Sequence, residues 1–422
     1  MLKRLMPGLT ALFSLALSVG IVSAATLVVG KPDTACPNPQ YTTIGAAVSA
    51  AAAGDGIEIC PALYPEQLII TKPLTLRGID VNGVNRVLLQ PTLTDLSSLA
   101  TEAVITVSNT HGVTIQNLAI DASHNKVGGC SPGVAGVHFS NSSGVLENNA
   151  IFGAHLATPL GCTTLPFGNG FGVQVDASQE GAFTVWINGN SIHDFTANGV
   201  QVNGACTACT QPPSITAEIT GNSISGVGPS SGIFQFGVFV LNGAVAKVIN
   251  NVITEGLCGA LSISDCINQR SEGVTLRAIG DGTVVDGNII TNAQSGIFIN
   301  GANLLTVTNN QIRNIDAMSG MDIQGSASGF FTNSVIANNS IFNVGPIDQN
   351  ASADEEGCGI NEYSGSGTFS GNQIWQNTVS DAYCGVAHVG ADPVYFGTYF
   401  NTLYTQLNSD QYPNTYPPAT EP

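Results

Sequence analysis

A short phrase, Asn-x-Ile, returns eight times between residues 149 and 374, and no other feature restricts the fold of this chain as tightly. It opens at Asn149, Asn190, Asn222, Asn251, Asn288, Asn310, Asn339 and Asn372, in steps of 41, 32, 29, 37, 22, 29 and 33 residues. A second phrase, Gly-apolar-x-apolar, alternates with it and opens at Gly136, Gly172, Gly199, Gly237, Gly273, Gly296, Gly320, Gly359 and Gly385, the last two copies being degenerate. Both phrases have the two-residue period of a strand and are bounded by turn formers. A step of 22 residues is too short for a strand-helix-strand unit of about 30 residues. It fits one coil of a parallel β-solenoid, in which each strand stacks on its own kind in the next coil. The apolar positions then point inward, and the corner asparagines stack on one another, as side-chain ladders do between identical strands. Gly and Asn also tolerate the positive φ of a tight corner. The asparagines are therefore read as structural. The expected fold class is all-β, a single-stranded parallel β-helix of about 11 or 12 coils.

The start of the chain carries further detail. It lies in Tyr41-Thr-Thr-Ile44 through Gly54-Asp55, then Ile57-Glu-Ile59, Tyr64-Pro-Glu66 and Ile69 to Gly78. With the two repeated phrases, this resembles the right-handed parallel β-helix proteins of the pectin lyase-like superfamily, from residue 40 to 395. The resemblance implies a right-handed solenoid whose first coil is plugged by an N-terminal capping helix. It is specific for fold and not for activity, because one fold hosts many functions. The expected division is a leader at 1–24, cap and first coils at 25–100, β-helix coils at 101–400 and a C-terminal tail at 401–422.

Composition excludes several classes. Hydrophobic residues make up 43% and charged residues only 9%, with 49 glycines and 37 asparagines. A chain this apolar is not an acidic disordered tail. With 11 bases against 29 acids, a net charge of -18, it lacks the clustered Lys and Arg that nucleic acid requires. Lys3 and Arg4 precede an apolar run from Leu9 to Val22 that ends in Val22-Ser23-Ala24, the pattern of a cleaved secretory leader. That run is shorter than the roughly 20 residues a membrane span needs, so no transmembrane segment is expected in the mature chain, whose net charge would be -20. All ten cysteines follow the leader, and an even count in an exported chain reads as disulfides. Neighbour spacing suggests Cys36 with Cys60, Cys130 with Cys162, Cys206 with Cys209, Cys258 with Cys266 and Cys358 with Cys384. Cys206 and Cys209 lack the second CxxC of a zinc site and the following helix of a redox motif. The expected location is secreted or cell-envelope, and the expected state a monomer.

Alternation along the Gly strands selects an outward file: His138, Gln174, Gln201, Phe239, Thr275, Phe298, Asp322 and Asn361. Two residues on stand Ser140, Asp176, Asn203, Leu241, Arg277, Asn300, Gln324 and Tyr363. Amides and aromatic rings with few charges suit saccharides, whose hydroxyls need paired donors and acceptors and whose C–H faces stack on rings. Long insertions at 153–170, 255–272 and 345–357 share one corner of the coil, and solenoids tend to place such insertions on the binding side. The expectation is an open groove along these strands. His138, Gln174, Asp176, Gln201, Asn203, Phe239, Phe298, Asn300, Gln324, Asn361 and Tyr363 would bind a polysaccharide or surface glycan there.

Catalysis is less clearly written. Glycoside hydrolysis wants two carboxyls about 5–9.5 Å apart, whereas Asp176 and Asp322 stand five coils apart, about 24 Å at roughly 4.8 Å per coil. Leu276-Arg277-Ala-Ile-Gly280 loosely resembles the Leu-Arg-x-Gly stretch of chondroitinase B-like lyases, with one extra residue. The partner Lys expected near Leu241 to Gly243 is absent, and Lys247 lies on another strand type. The Gln-Asp-Thr-Leu of pectin methylesterases, the Asn-Thr-Asp of polygalacturonases and the Asp-Pro-His of mannuronan epimerases are also absent. If the chain is a lyase or glycosidase, Arg277 and Asp322 are the candidate catalytic residues, charged, outward and two coils apart. The histidines show no HxH or HExxH spacing for a transition metal. No cofactor is expected, and calcium is the cation that so acidic a chain would take, with Asp354-Glu355-Glu356 as loop carboxylates. The alternative function is a non-catalytic adhesion or structural protein using the β-helix as a rigid rod.

Overall fold

A computed structural model describes residues 24–30, 36, 38–81, 84–85, 87–92, 101–125, 133–155, 170–206, 209–228, 234–256, 271–325, 329–345, 357–363, 367–382, 384–389, 398–399 and 402–405. Among these, three long parallel sheets of 13, 12 and 11 strands run side by side along the molecule. Each coil adds one strand to each. Ala182–Asn188, Ser191–Phe195 and Asn198–Asn203 form one coil, and Ser214–Thr220, Ser223–Ser225 and Gln235–Leu241 the next. The first strand of each coil belongs to a sheet with a largely solvated outer face, the second to the Asn-x-Ile sheet and the third to the Gly sheet. The fold is thus all-β and a parallel β-helix, as the repeat spacing predicts. The core is the interior of the coil, filled by stacked Ile, Val and Leu files such as Ile151, Ile192, Ile224, Ile253 and Ile290.

One helix, Ile44–Ala50, closes the N-terminal end and buries Ile44, Ala47 and Val48 against the first strands. It begins where Thr43 accepts from the Ala46 N–H, and Glu66 accepts from the N–H groups of Ile44 at 2.9 Å and Gly45 at 2.8 Å. These bonds occupy donors that the helix itself leaves unpaired. The Glu of Tyr64-Pro-Glu66 is therefore a capping residue, and the Tyr64 hydroxyl donates to the Cys60 carbonyl.

The asparagine ladder forms, with two adjustments. Each Oδ1 accepts both the backbone N–H and the Nδ2 of the asparagine one coil before, at 2.8–3.0 Å, from Asn149 through Asn190, Asn222, Asn251, Asn288, Asn310 and Asn339. The eighth rung is Asn377 and not Asn372. Asn372-Gln-Ile374 lies on the solvated sheet, where Ile374 pairs with Ile336, and the Asn372 Oδ1 accepts from Ser334. In this coil the rung opens Asn377-Thr-Val379, with Val in place of Ile, while the phrase itself stands at a neighbouring corner, so three residues do not identify the corner. Positive φ also falls one residue ahead of the rung, at Asn148, Gly189, Gly221, Asn250, Gly287, Asn309, Asn338 and Gln376.

The glycine that opens each Gly strand serves close approach instead of φ. A Cβ on Gly136 would lie 2.3 Å from the Ile151 Cγ2 and 2.8 Å from the Gly172 carbonyl oxygen. The same pair of contacts recurs from Gly172 to Gly320, so the corner admits no side chain.

Two of the expected disulfides are present, Cys36–Cys60 and Cys206–Cys209. Cys358 is disulfide-bonded, and the strand register sets it opposite Cys384. The pairings of Cys130 with Cys162 and of Cys258 with Cys266 lie outside the described residues, as do the leader and Asp354-Glu355-Glu356. No helix among the described residues is long and apolar enough to cross a membrane.

Candidate functional site

The Gly strands carry their side chains where alternation puts them, but the strip they form is not the open groove expected. His138, Gln174 and Gln201 are each 8% exposed, Phe298 is 2%, and Phe239, Thr275, Asp322 and Asn361 are 0%. The file is a second buried layer outside the coil. Beside it Ala103, Ala135, Phe171 and Ala197 make a small apolar cluster of their own. A two-residue period tells which side of a sheet a residue occupies and says nothing of what covers that side. The described chain enters and leaves the insertions at Gly256 and Ser271 and at Gly345 and Gly357, at the edge of this sheet. Only the second file, Ser140, Asp176, Asn203, Leu241, Arg277, Asn300, Gln324 and Tyr363, is half-exposed along its length. It forms a rim beside the buried layer.

Two carboxylates are fixed in this region. Asp176 Oδ2 sits 3.0 Å from the His138 Nε2 and accepts from the Gln174 Nε2 at 3.0 Å, while the Gln174 Oε1 accepts from the Thr101 hydroxyl at 2.8 Å. Asp322 accepts from the Gln324 Nε2 at 2.8 Å and from the Asn361 Nδ2 at 3.2 Å. Between them the Asn203 Oδ1 accepts from the Asn242 Nδ2 and the Ala205 N–H. Arg277 lies over the Phe298 ring, 5.0 Å from its centroid, in cation–π contact. The strand register confirms the spacing counted in the sequence. Asp176 and Asp322 are five strands apart, and Arg277 and Asp322 are two. Lys247 is on the solvated sheet, paired with Glu218 at 2.7 Å.

Sequence reasoning missed the buried acids nearby. Glu272, immediately before Gly273, is 0% exposed and accepts from the Thr275 hydroxyl. Its file otherwise holds Ala135, Phe171, Asn198, Phe236 and Ser295, so an acid among small and aromatic residues was the available signal. Glu255 is also fully buried. Its carboxyl lies against Gly226 and Gly237, and neither oxygen has a hydrogen-bond partner among the described residues. Burial pushes it well above the usual carboxylate value of 4.5. Among the described residues no group of three His, Cys, Asp or Glu side chains is placed to hold a metal ion.

Comparison with known proteins agrees with this architecture. The profile of the right handed beta helix region matches residues 169–396, just over half of the chain. The solved structure of a GH136 lacto-N-biosidase from Eubacterium ramulus superposes with a TM-score of 0.58 at 12% identity, over 91% of this chain and 68% of that one. Weaker likenesses include PfbA, a surface adhesin of Streptococcus pneumoniae (TM-score 0.42, 12% identity, 86% of this chain and 85% of that one). An alginate lyase from Paenibacillus sp. str. FPU-7 is similar at a TM-score of 0.41 and 13% identity, over 90% of this chain and 98% of that one. No curated protein sequence matches the chain. At such identities the structures speak for the fold alone, and with the profile match they establish that the chain belongs to the right-handed parallel β-helix family.

Proposed function

We propose that this is an exported β-helix protein that binds polysaccharide along the rim of its Gly sheet. The observation that carries the reading is the half-exposed file from Ser140 to Tyr363, which carries amides and is backed by a buried, largely polar layer. Hydrogen bonds hold Asp176 and Asp322 in fixed positions, so neither carboxylate must be ordered when a ligand arrives. The rim offers donors and acceptors at a regular rise of about 4.8 Å per coil, a spacing suited to an extended chain of sugars. The disulfides support an oxidising location. The lacto-N-biosidase shares the fold, and this makes a glycan a reasonable ligand class without transferring its activity. The full burial of Asp322 supports binding over processing in this reading. Calcium enters this reading only with an acidic glycan.

A glycan array tests the reading, followed by assays for unsaturated products at about 235 nm and for new reducing ends, the marks of elimination and hydrolysis. Binding that weakens in Asn203→Ala and Arg277→Ala supports the rim as the site. Binding without product makes the protein an adhesion-type receptor, whereas product formation lost in Arg277→Ala or Asp322→Ala makes it an enzyme. No glycan bound, or binding unchanged in the rim variants, overturns the proposal.

A further inference from the structure

A second ligand-sized feature lies around the corner from the rim, where the Gly sheet turns into the solvated sheet. It is a cleft of about 240 Å³ lined by Asn109, His111, Asn141, Gln179, Glu180 and Phe183. None of these residues belongs to the rim. We propose that this cleft binds one neutral pyranose ring, with the His111–Phe183 pair as its platform and Glu180 and Gln179 as its hydroxyl partners.

The platform is already built. The His111 and Phe183 rings lie parallel within 5°, with centroids 5.9 Å apart. Phe183 is 6% exposed and belongs to the core, so it fixes the exposed imidazole from behind. The His111 Nδ1 is 3.0 Å from the Ser143 hydroxyl, which itself accepts from the Thr184 N–H. This contact engages Nδ1 and sets the ring orientation. Gly181 allows the arrangement, since a Cβ there would lie 2.9 Å from the Phe183 ring.

The polar side is equally fixed. Asn141 is buried and spends its amide on the wall: Oδ1 accepts from the N–H groups of Ser178 at 2.7 Å and Gln179 at 3.1 Å, and Nδ2 donates to Asn109 and Ser178. Among the described residues Glu180 is held through one oxygen. Its Oε1 accepts from the Thr210 hydroxyl, the Thr210 N–H at 2.9 Å and the Gln211 N–H at 3.1 Å. These bonds, the hydroxyl first, lower its pKa, so the group stays ionised. Oε2 remains to accept from a ligand. The Gln179 amide has no partner among the described residues. The segment that anchors Glu180 directly follows the Cys206–Cys209 disulfide. That bridge thus positions a binding carboxylate in addition to bracing a loop.

A flat apolar shelf beside a fixed acceptor and an unused amide matches the apolar face and adjacent hydroxyls of a sugar ring. The volume is below the ~300–1,000 Å³ of sites for larger ligands, which limits the occupant to one residue. An ionised carboxylate in a chain of net charge -18 disfavours uronates, and a single carboxylate among amides is a weak trap for a cation.

Saturation-transfer NMR on the full chain, with glucose, galactose, mannose and their N-acetylated amino sugars, tests the proposal. Galacturonate and methylammonium serve as controls. At least one neutral sugar should bind with a Kd of roughly 1–10 mM and shift the His111 ring resonances. His111→Ala and Glu180→Gln, both at exposed positions, should each weaken it about tenfold. The double variant Cys206→Ser/Cys209→Ser should weaken it about threefold by loosening the Thr210 anchor. Arg277→Ala should leave it unchanged, which separates this site from the rim. The absence of binding by every neutral sugar overturns the proposal. So does affinity indifferent to His111 and Glu180, or preference for galacturonate or methylammonium.

Discussion

Asn251 shows what one side chain does in this molecule. Its Oδ1 accepts two N–H groups of Asn222 at 2.9 Å, and its Nδ2 donates to the Asn288 Oδ1 and the Ile219 carbonyl. All of this happens at 0% exposure. Replacing it with Ala orphans buried donors on one side and acceptors on the other, at about 1–3 kcal/mol for each unsatisfied group. We expect Asn251→Ala to lower unfolding free energy by about 3–5 kcal/mol, measured by urea denaturation. Asn251→Asp keeps the shape but turns a donor into an acceptor that faces two other acceptors, and it should destabilise at least as much. Glu255 makes the opposite case at the same scale. An unfolded glutamate ionises near 4.5, whereas the folded Glu255 ionises only well above that value. As pH rises between the two, the unfolded chain releases a proton that the folded one retains, so stability falls. A series of urea midpoints from about pH 4 to pH 8 should show this decline, and Glu255→Gln should flatten it. The ladder was legible because repetition advertises it. Glu255 was not, because its burial comes from elements distant in sequence.

Single elements take their limits from short-range chemistry. The helix Ile44–Ala50 has only seven residues, too few to persist in isolation. It is held by Thr43 from within and by Glu66 from 22 residues away. Glu66→Ala should cost about 1–2 kcal/mol. Hydrogen exchange should show faster labelling of residues 44–50 with the coils beyond residue 101 unchanged. The family resemblance made the helix expected, while the role of Tyr64-Pro-Glu66 emerged only with the bond to its N-terminus. The strands show the same division. Inward files were read correctly from alternation, yet Asn372 and Asn377 compete for one rung, and only the register with Ile336 and Ile341 decides between them.

The molecule as a whole is a stack in which each coil contacts chiefly its neighbours, and its few charges are mostly negative. Its field therefore acts on any ligand of the rim. Neutral glycans should bind with little dependence on salt. Pectate or alginate should bind only when added salt or Ca²⁺ screens or bridges the repulsion, since the screening length falls from about 10 Å at 0.1 M to 3 Å at 1 M. Titrations at both ionic strengths distinguish these outcomes, and tighter binding of a polyanion at low salt would contradict the electrostatic picture.

The sequence by itself determined the repeat unit, the parallel stacking, the inward files and the corner asparagines. Each of these is a local rule applied once per coil. Tertiary structure alone decided which outward residues meet solvent, because a two-residue period fixes the side of a sheet and not what lies against it. The expected groove became a buried layer with a half-open rim for that reason. The cleft at His111 and Glu180 depended on three successive coils and a disulfide-braced segment arriving at one corner, and no period in the sequence encodes that meeting.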